Sequence, residues 1–171
     1  MKIFSLCLAR CLFGLVWKSV LSAALVVRVS EVGHDNSSCW ESNAAIPCKS
    51  LVFAQGALRD LQHYNETVFT FLIEDEVYYL EERINIIQTN EAKSVYLKSS
   101  NLSVIRCKNK SAGFDIGTRK QVNRTRNIHF QNLEFQNCGP DLAAVVLIWN
   151  SVDVIFKNCV FRRNKQAGIN A

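Results

Sequence analysis

The hydrophobic positions along this chain change their period near residue 65. Before it, Leu51, Ala54, Leu58 and Leu61 fall at helical spacing, with Arg59, Asp60 and Gln62 as polar neighbours. Pro47 and Ser50 can open a helix, so the pattern predicts an amphipathic helix over 50–62 that covers apolar surface. After it, apolar residues alternate. VFTFLIE, VYYL, SVYLKS and LSVIRC read as strands, and Gly113 and Gly117 read as turn residues around GFDIG.

The alternation also repeats. NIHFQNLEFQ (127–136) aligns with DVIFKNCVFR (153–162) at a shift of 26 residues, setting Ile128 on Val154, Phe130 on Phe156, Leu133 on Cys159 and Phe135 on Phe161. In both copies an Asn, Asn132 or Asn158, interrupts the alternation. Asn tolerates the left-handed backbone conformation, so one residue can turn a strand sharply into the next. Stacked copies would place the two amides in a hydrogen-bonded ladder, with the apolar side chains filling the interior.

The stretch VLIWNSVDVIFKNCVFRRNKQAGINA resembles right-handed parallel β-helix proteins of the pectin-lyase-like type, in which apolar-x-apolar, Asn, Cys-x-Phe and a closing Gly-Ile recur once per coil. Within that group it is similar to the domain of animal secreted or surface proteins, where a Cys-Trp segment, a Pro-Cys and a short helix precede the coils. The resemblance covers roughly residues 39–171. It implies an all-β fold: an incomplete right-handed parallel β-helix of a few coils with a short amino-terminal capping helix. It also implies that Ile128, Phe130, Leu133, Phe135, Val146, Ile148, Val154, Phe156, Cys159 and Phe161 point inward. His129, Gln131, Glu134, Leu147, Trp149, Ile155, Lys157 and Val160 would point outward. A coil that ends at Gly168-Ile169 asks for a further strand, so the chain is expected to be an amino-terminal fragment.

Composition adds a compartment. Residues 1–24 carry Lys2, apolar runs broken by Arg10 and Lys18, and the small residues Ser22, Ala23 and Ala24. This is the order of a secretory signal, with an uncleaved membrane anchor as the alternative. Residues 25–62 then form a polar lead-in, a Cys-bracketed segment and the helix, and 63–171 the coils. The 20 basic residues fall to 17 against 15 acidic ones once Lys2, Arg10 and Lys18 leave, which gives no reason to expect a nucleic-acid partner. Asn36, Asn65, Asn101, Asn109 and Asn123 each head an Asn-x-Ser/Thr site, against roughly two expected by chance, as befits a surface or secreted glycoprotein. Cys39, Cys48, Cys107, Cys138 and Cys159 follow the signal. Cys39 and Cys48 are the expected local disulfide, because a short loop brings them together cheaply. The odd cysteine is either a free thiol or one whose partner lies beyond residue 171.

Chemistry is harder to find. Glu74, Asp75 and Glu76 form one acidic cluster, read as a charged turn, and Asp153 has no stacked carboxylate. Arg162, Arg163 and Lys165, with Arg124 and Arg126 one coil earlier, form a basic rim able to attract acidic polysaccharide. Trp149, Leu147 and Ile155 read as one covered apolar patch, His129 as structural, and GFDIG lacks the spacing of a phosphate loop. No catalytic residue, cofactor or metal ligand set is expected. The expected function is an extracellular module with a structural, adhesive or carbohydrate-contacting role, its partners extracellular polysaccharide or cell-surface proteins. The alternative is a polysaccharide lyase or glycoside hydrolase whose catalytic coils lie beyond residue 171.

Overall fold

Where apolar residues alternate, the chain buries one side of an extended strand, and among the described residues such strands pair in parallel. The computed structural model describes residues 24–41, 44–60, 68–86, 94–108, 112–117, 127–138, 144–149, 153–164 and 168–170. Among them are strands β1 (Ala24–Val29), β2 (Val68–Ile73), β3 (Val77–Leu80), β4 (Arg83–Ile86), β5 (Ser94–Cys107) and β6 (Gly113–Ile116). Then come β7 (Asn127–Gln136), β8 (Val146–Ile148), β9 (Asp153–Lys157), β10 (Val160–Arg162) and β11 (Ile169–Asn170), with one α-helix, α1 (Leu51–Asp60).

The strands form three parallel stacks. The first runs β1, β2, the front half of β5, the front half of β7, and β9. The second runs β3, the back half of β5, the back half of β7, and β10. The third runs β4, β6, β8 and β11. From Val68 onward the chain passes from each stack to the next in one order, then begins again. Asn132 and Asn158 lie 26 residues apart, whereas Asn132 and Ser99 lie 33 apart. The longer pass holds a bulge, with Ser99–Leu102 standing opposite Asn132 alone.

Inside, side chains stack on their own kind. Phe130 lies parallel to Phe156 and Phe135 parallel to Phe161, each pair with centroids 5.0 Å apart, and Phe114 meets Phe130 and Phe135 edge-on. Ile128, Phe130, Leu133, Phe135 and Val146 are buried, and Ile148, Val154, Phe156, Cys159 and Phe161 pack against them. Gly168 leaves room for Phe161, because a Cβ there would lie 2.9 Å from the ring.

Helix α1 packs on β1, β2 and β4. Its start is secured by side chains: Ser50 Oγ accepts from Phe53 N–H, and the Tyr78 hydroxyl accepts from Leu51 N–H at 2.9 Å. A Cβ on Gly56 would come 2.8 Å from the Trp40 ring, so a glycine there lets helix and indole close up.

Several expectations need correction. The lead-in over 25–38 is not all polar coil, because Leu25, Val27 and Val29 are buried strand residues of β1. Residues 83–86 form β4, which the sequence reading passed over, and Gly113 opens a strand, not a turn. SVYLKS and LSVIRC are two halves of one strand. The helix is described to Asp60; residues 61 and 62, and 1–23 of the expected signal segment 1–24, lie outside the described residues, whereas Ala24, the last residue of that segment, opens β1.

Candidate functional site

The acidic turn after β2 is the carboxylate cluster singled out in the sequence, and each of its first two carboxylates holds a partner. Arg28 on β1 donates through Nε and Nη2 to the two oxygens of Glu74, at 2.5 and 2.9 Å. That fork fixes the carboxylate and keeps the guanidinium pKa raised. Asp75 accepts from Ser30 Oγ at 2.8 Å and from Glu31 N–H at 2.7 Å. The turn lines a cleft of about 260 Å³ with Leu72, Ser99, Asn101 and Leu102. The first two carboxylates tie β1 to the turn.

A second cleft, of about 380 Å³, lies where α1 meets the stacks, lined among others by Glu31, Asp35, Lys49, Tyr79, Glu81 and Glu82. Glu31 Oε1 accepts from Tyr79 N–H, and Asp35 accepts from Lys49 N–H, Ser50 N–H and the Ser50 hydroxyl. Glu81 pairs with Lys108 at 2.7 Å, which holds its carboxyl below the usual carboxylate range. These contacts organise the junction.

The outward side of the first stack differs in kind. Thr70, Tyr96, His129 and Ile155 stand in one register row, and Leu72, Lys98, Gln131 and Lys157 in the next. Tyr96 and His129 stack with centroids 4.3 Å apart and planes 10° apart, and Lys98 Nζ lies 6.0 Å from the Tyr96 centroid. Partial burial of the imidazole lowers the His129 pKa from its ordinary value, disfavouring the charged ring. Aromatic, amide and cationic groups therefore share the outward side of one parallel stack, a combination suited to contacting a polyol or acidic chain. On the second stack, Tyr79 receives Lys108 Nζ at 5.2 Å and Arg106 at 5.9 Å from its centroid.

The other predicted residues fall as follows. Asp153 is exposed and stands opposite Asn127. Arg162 stacks over Gln136 and Arg106, and approaches Glu134 at 3.5 Å; Lys165, Arg124 and Arg126 lie outside the described residues. Glu134 sits on the outward side as expected but is buried there, with Gln136 Nε2 donating to it at 2.7 Å and Arg162 approaching at 3.5 Å. Of the expected apolar patch, Leu147 lies on the third stack and Ile155 on the first, in different sheets. Disulfides join Cys39 to Cys48 and Cys107 to Cys138, and Cys159 is the free thiol among the described cysteines, its pKa raised by burial. The Cys107–Cys138 link escaped sequence reading because 31 residues separate the partners; only the stacking of their two passes reveals it. Asn36 and Asn101 are exposed, and Asn36 Oδ1 accepts from Ser38 N–H; Asn65, Asn109 and Asn123 lie outside the described residues.

Asn132 and Asn158 have φ of 57° and 53°, and Asn158 Nδ2 donates to Asn132 Oδ1 at 3.1 Å. Asn132 Nδ2 in turn donates to Ser99 O at 3.0 Å. A second left-handed corner follows at Asn137 and Arg163, with φ of 55° and 53°, which the sequence reading missed because Asn recurs there as Arg.

Among the described residues no three His, Cys, Asp or Glu side chains are grouped to hold a metal ion, and no helix is long and apolar enough to cross a membrane. The two disulfides suit an oxidising environment. The chain matches no protein-family model, and no curated protein or solved structure is significantly similar to it.

Proposed function

We propose that this chain is a glycosylated extracellular module, a right-handed parallel β-helix of the pectin-lyase-like type, that acts as an adhesive surface for acidic polysaccharide and not as an enzyme. The observation that carries the reading is the outward face of the first stack, where the Tyr96–His129 pair runs beside Lys98, Gln131 and Lys157 on rigid, register-locked strands. Three further features support it. The chain passes through the same three parallel stacks in constant order, as coils of a β-helix do. Glu74 and Asp75, two of the three clustered acids, are engaged by Arg28, Ser30 and the Glu31 amide. Exposed Asn101 stands beside exposed Leu102 on the rim of the acidic cleft, where a glycan would cover both.

The test is retention of the full chain on immobilised heparin and pectate against neutral dextran, over a salt gradient. Retention on the acidic columns that falls as salt rises is expected, with Lys98→Ala/Lys157→Ala eluting at clearly lower salt. Equal behaviour on all three matrices would sink the adhesive reading. Cleavage of pectin, alginate or a glycosaminoglycan, abolished by Glu74→Gln or Asp153→Asn, would replace it with the enzymatic one.

A further inference from the structure

The outward side of the second stack carries cations of a different kind from those of the first. Tyr79, Arg106, Gln136 and Arg162 stand in one register row across β3, β5, β7 and β10. Arg106 lies 5.9 Å and Lys108 Nζ 5.2 Å from the centroid of the Tyr79 ring, so two cations converge on one phenol. Gln136 ties the row together. Its Oε1 accepts from Arg106 Nη2 at 3.3 Å, and its Nε2 donates to the buried Glu134, which Arg162 Nε approaches at 3.5 Å. One amide thus orders both guanidinium groups, the second through Glu134.

These cations are short of acceptors. A guanidinium has five N–H donors, yet Gln136 is the acceptor that Arg106 reaches among the described residues, and its buried Nε has none. The Arg162 side chain is 66% exposed. Lys108 pairs with Glu81 at 2.7 Å, but both side chains are exposed, and an exposed pair contributes little, so an incoming anion can displace Glu81. Of the other nearby acids, Glu134 lies buried beside Arg162 and Glu31 accepts the Tyr79 N–H.

The number and direction of the donors point to the ligand. A carboxylate offers two oxygens in one plane, which a single guanidinium fork satisfies. A sulfate ester offers three terminal oxygens that point apart, and it can engage a guanidinium and an ammonium at once. Arg106 and Lys108 beside one ring supply that pair. Arg162 stands two passes along the row from Arg106, roughly 10 Å at the usual strand spacing, so a chain with repeated sulfates can reach both.

We propose that the outward side of the second stack is a further binding site, one for the sulfate esters of a sulfated polysaccharide, in which Arg106 and Lys108 hold one sulfate beside Tyr79 and Arg162 holds another. The proposal rests on the adhesive reading and narrows it. The ammonium groups of the first stack attract any acidic chain, whereas the guanidinium groups of the second select sulfate.

The test is surface plasmon resonance of the full chain over immobilised heparin and over the same heparin stripped of sulfate with its carboxylates kept. The wild-type chain is expected to bind the sulfated surface at least about tenfold more tightly. Arg106→Lys/Arg162→Lys keeps both charges and loses both forks, and should lower that preference at least about threefold with circular dichroism unchanged. Glu81→Gln releases Lys108 without removing a packing group, and should tighten binding to the sulfated surface about twofold or more. Lys98→Ala/Lys157→Ala should weaken binding to both surfaces and leave their ratio as it was. Equal wild-type binding to the two surfaces, a preference that survives Arg106→Lys/Arg162→Lys, or no gain from Glu81→Gln would each overturn the proposal while the adhesive reading stands. No binding to either surface would sink the adhesive reading and the proposal with it.

Discussion

A left-handed backbone at a residue with a side chain costs roughly 1–2 kcal/mol for most types and less for Asn, whose amide bonds locally. Four described non-glycine residues adopt it: Asn132, Asn137, Asn158 and Arg163. At Asn132 the amide also donates to Ser99 O and accepts from Asn158 Nδ2, so backbone and side-chain roles coincide. They can be separated. Asn132→Gly keeps the corner and loses the two hydrogen bonds, an expected cost of about 1–2 kcal/mol. Asn132→Ala loses the bonds and also strains the corner, and should cost about 1–2 kcal/mol more in urea unfolding. Equal losses for the two variants would mean that the ladder alone matters. The corner at Asn132 and Asn158 was legible because the same residue type recurs at one spacing. The corner at Asn137 and Arg163 was not, since nothing in an Arg announces a left-handed turn. Asn164 was equally silent, although its side chain bonds Cys138 N–H and Phe135 O of the preceding pass.

Elements were legible where one face is apolar and the flanks are polar. Helix α1 and strands β2, β3 and β7 meet that condition. Strand β1 does not, because ALVVRV runs straight on from an apolar leader, and its alternation is lost in the greater hydrophobicity before it. Strand β5 was split in reading because the bulge at Ser99–Leu102 breaks its alternation while the strand continues. What no local pattern carries is how the helix is held. The first amide of α1 is satisfied by a phenol from β3, and burial pushes the Tyr78 hydroxyl pKa well above its ordinary 10, so the group stays a neutral acceptor. Tyr78→Phe preserves the ring and strands Leu51 N–H inside the protein. The expected loss is about 1–3 kcal/mol of unfolding free energy with helix content unchanged. An unaltered urea midpoint would show that the hydroxyl contributes nothing to the junction.

At the scale of the whole molecule the mostly β, parallel character could be read, but not how evenly it is built. Parallel pairing and the 26-residue repeat follow from two aligned segments; the closing of the β1 end by residues 44–48 and α1 depends on contacts far apart in sequence. Each pass buries its interior only against its neighbours, so stability should be graded along the stack. Phe130 lies between passes and is fully buried, whereas Phe156, its parallel partner, is only half-buried on the last described pass. Phe130→Ala removes a ring that touches Phe114, Phe135 and Phe156, and is expected to cost about 3–5 kcal/mol. Phe156→Ala opens a cavity that water already borders, and the cost should be roughly half of that. Amide exchange should follow the same order, slowest in β5 and β7 and fastest in β9 and β10.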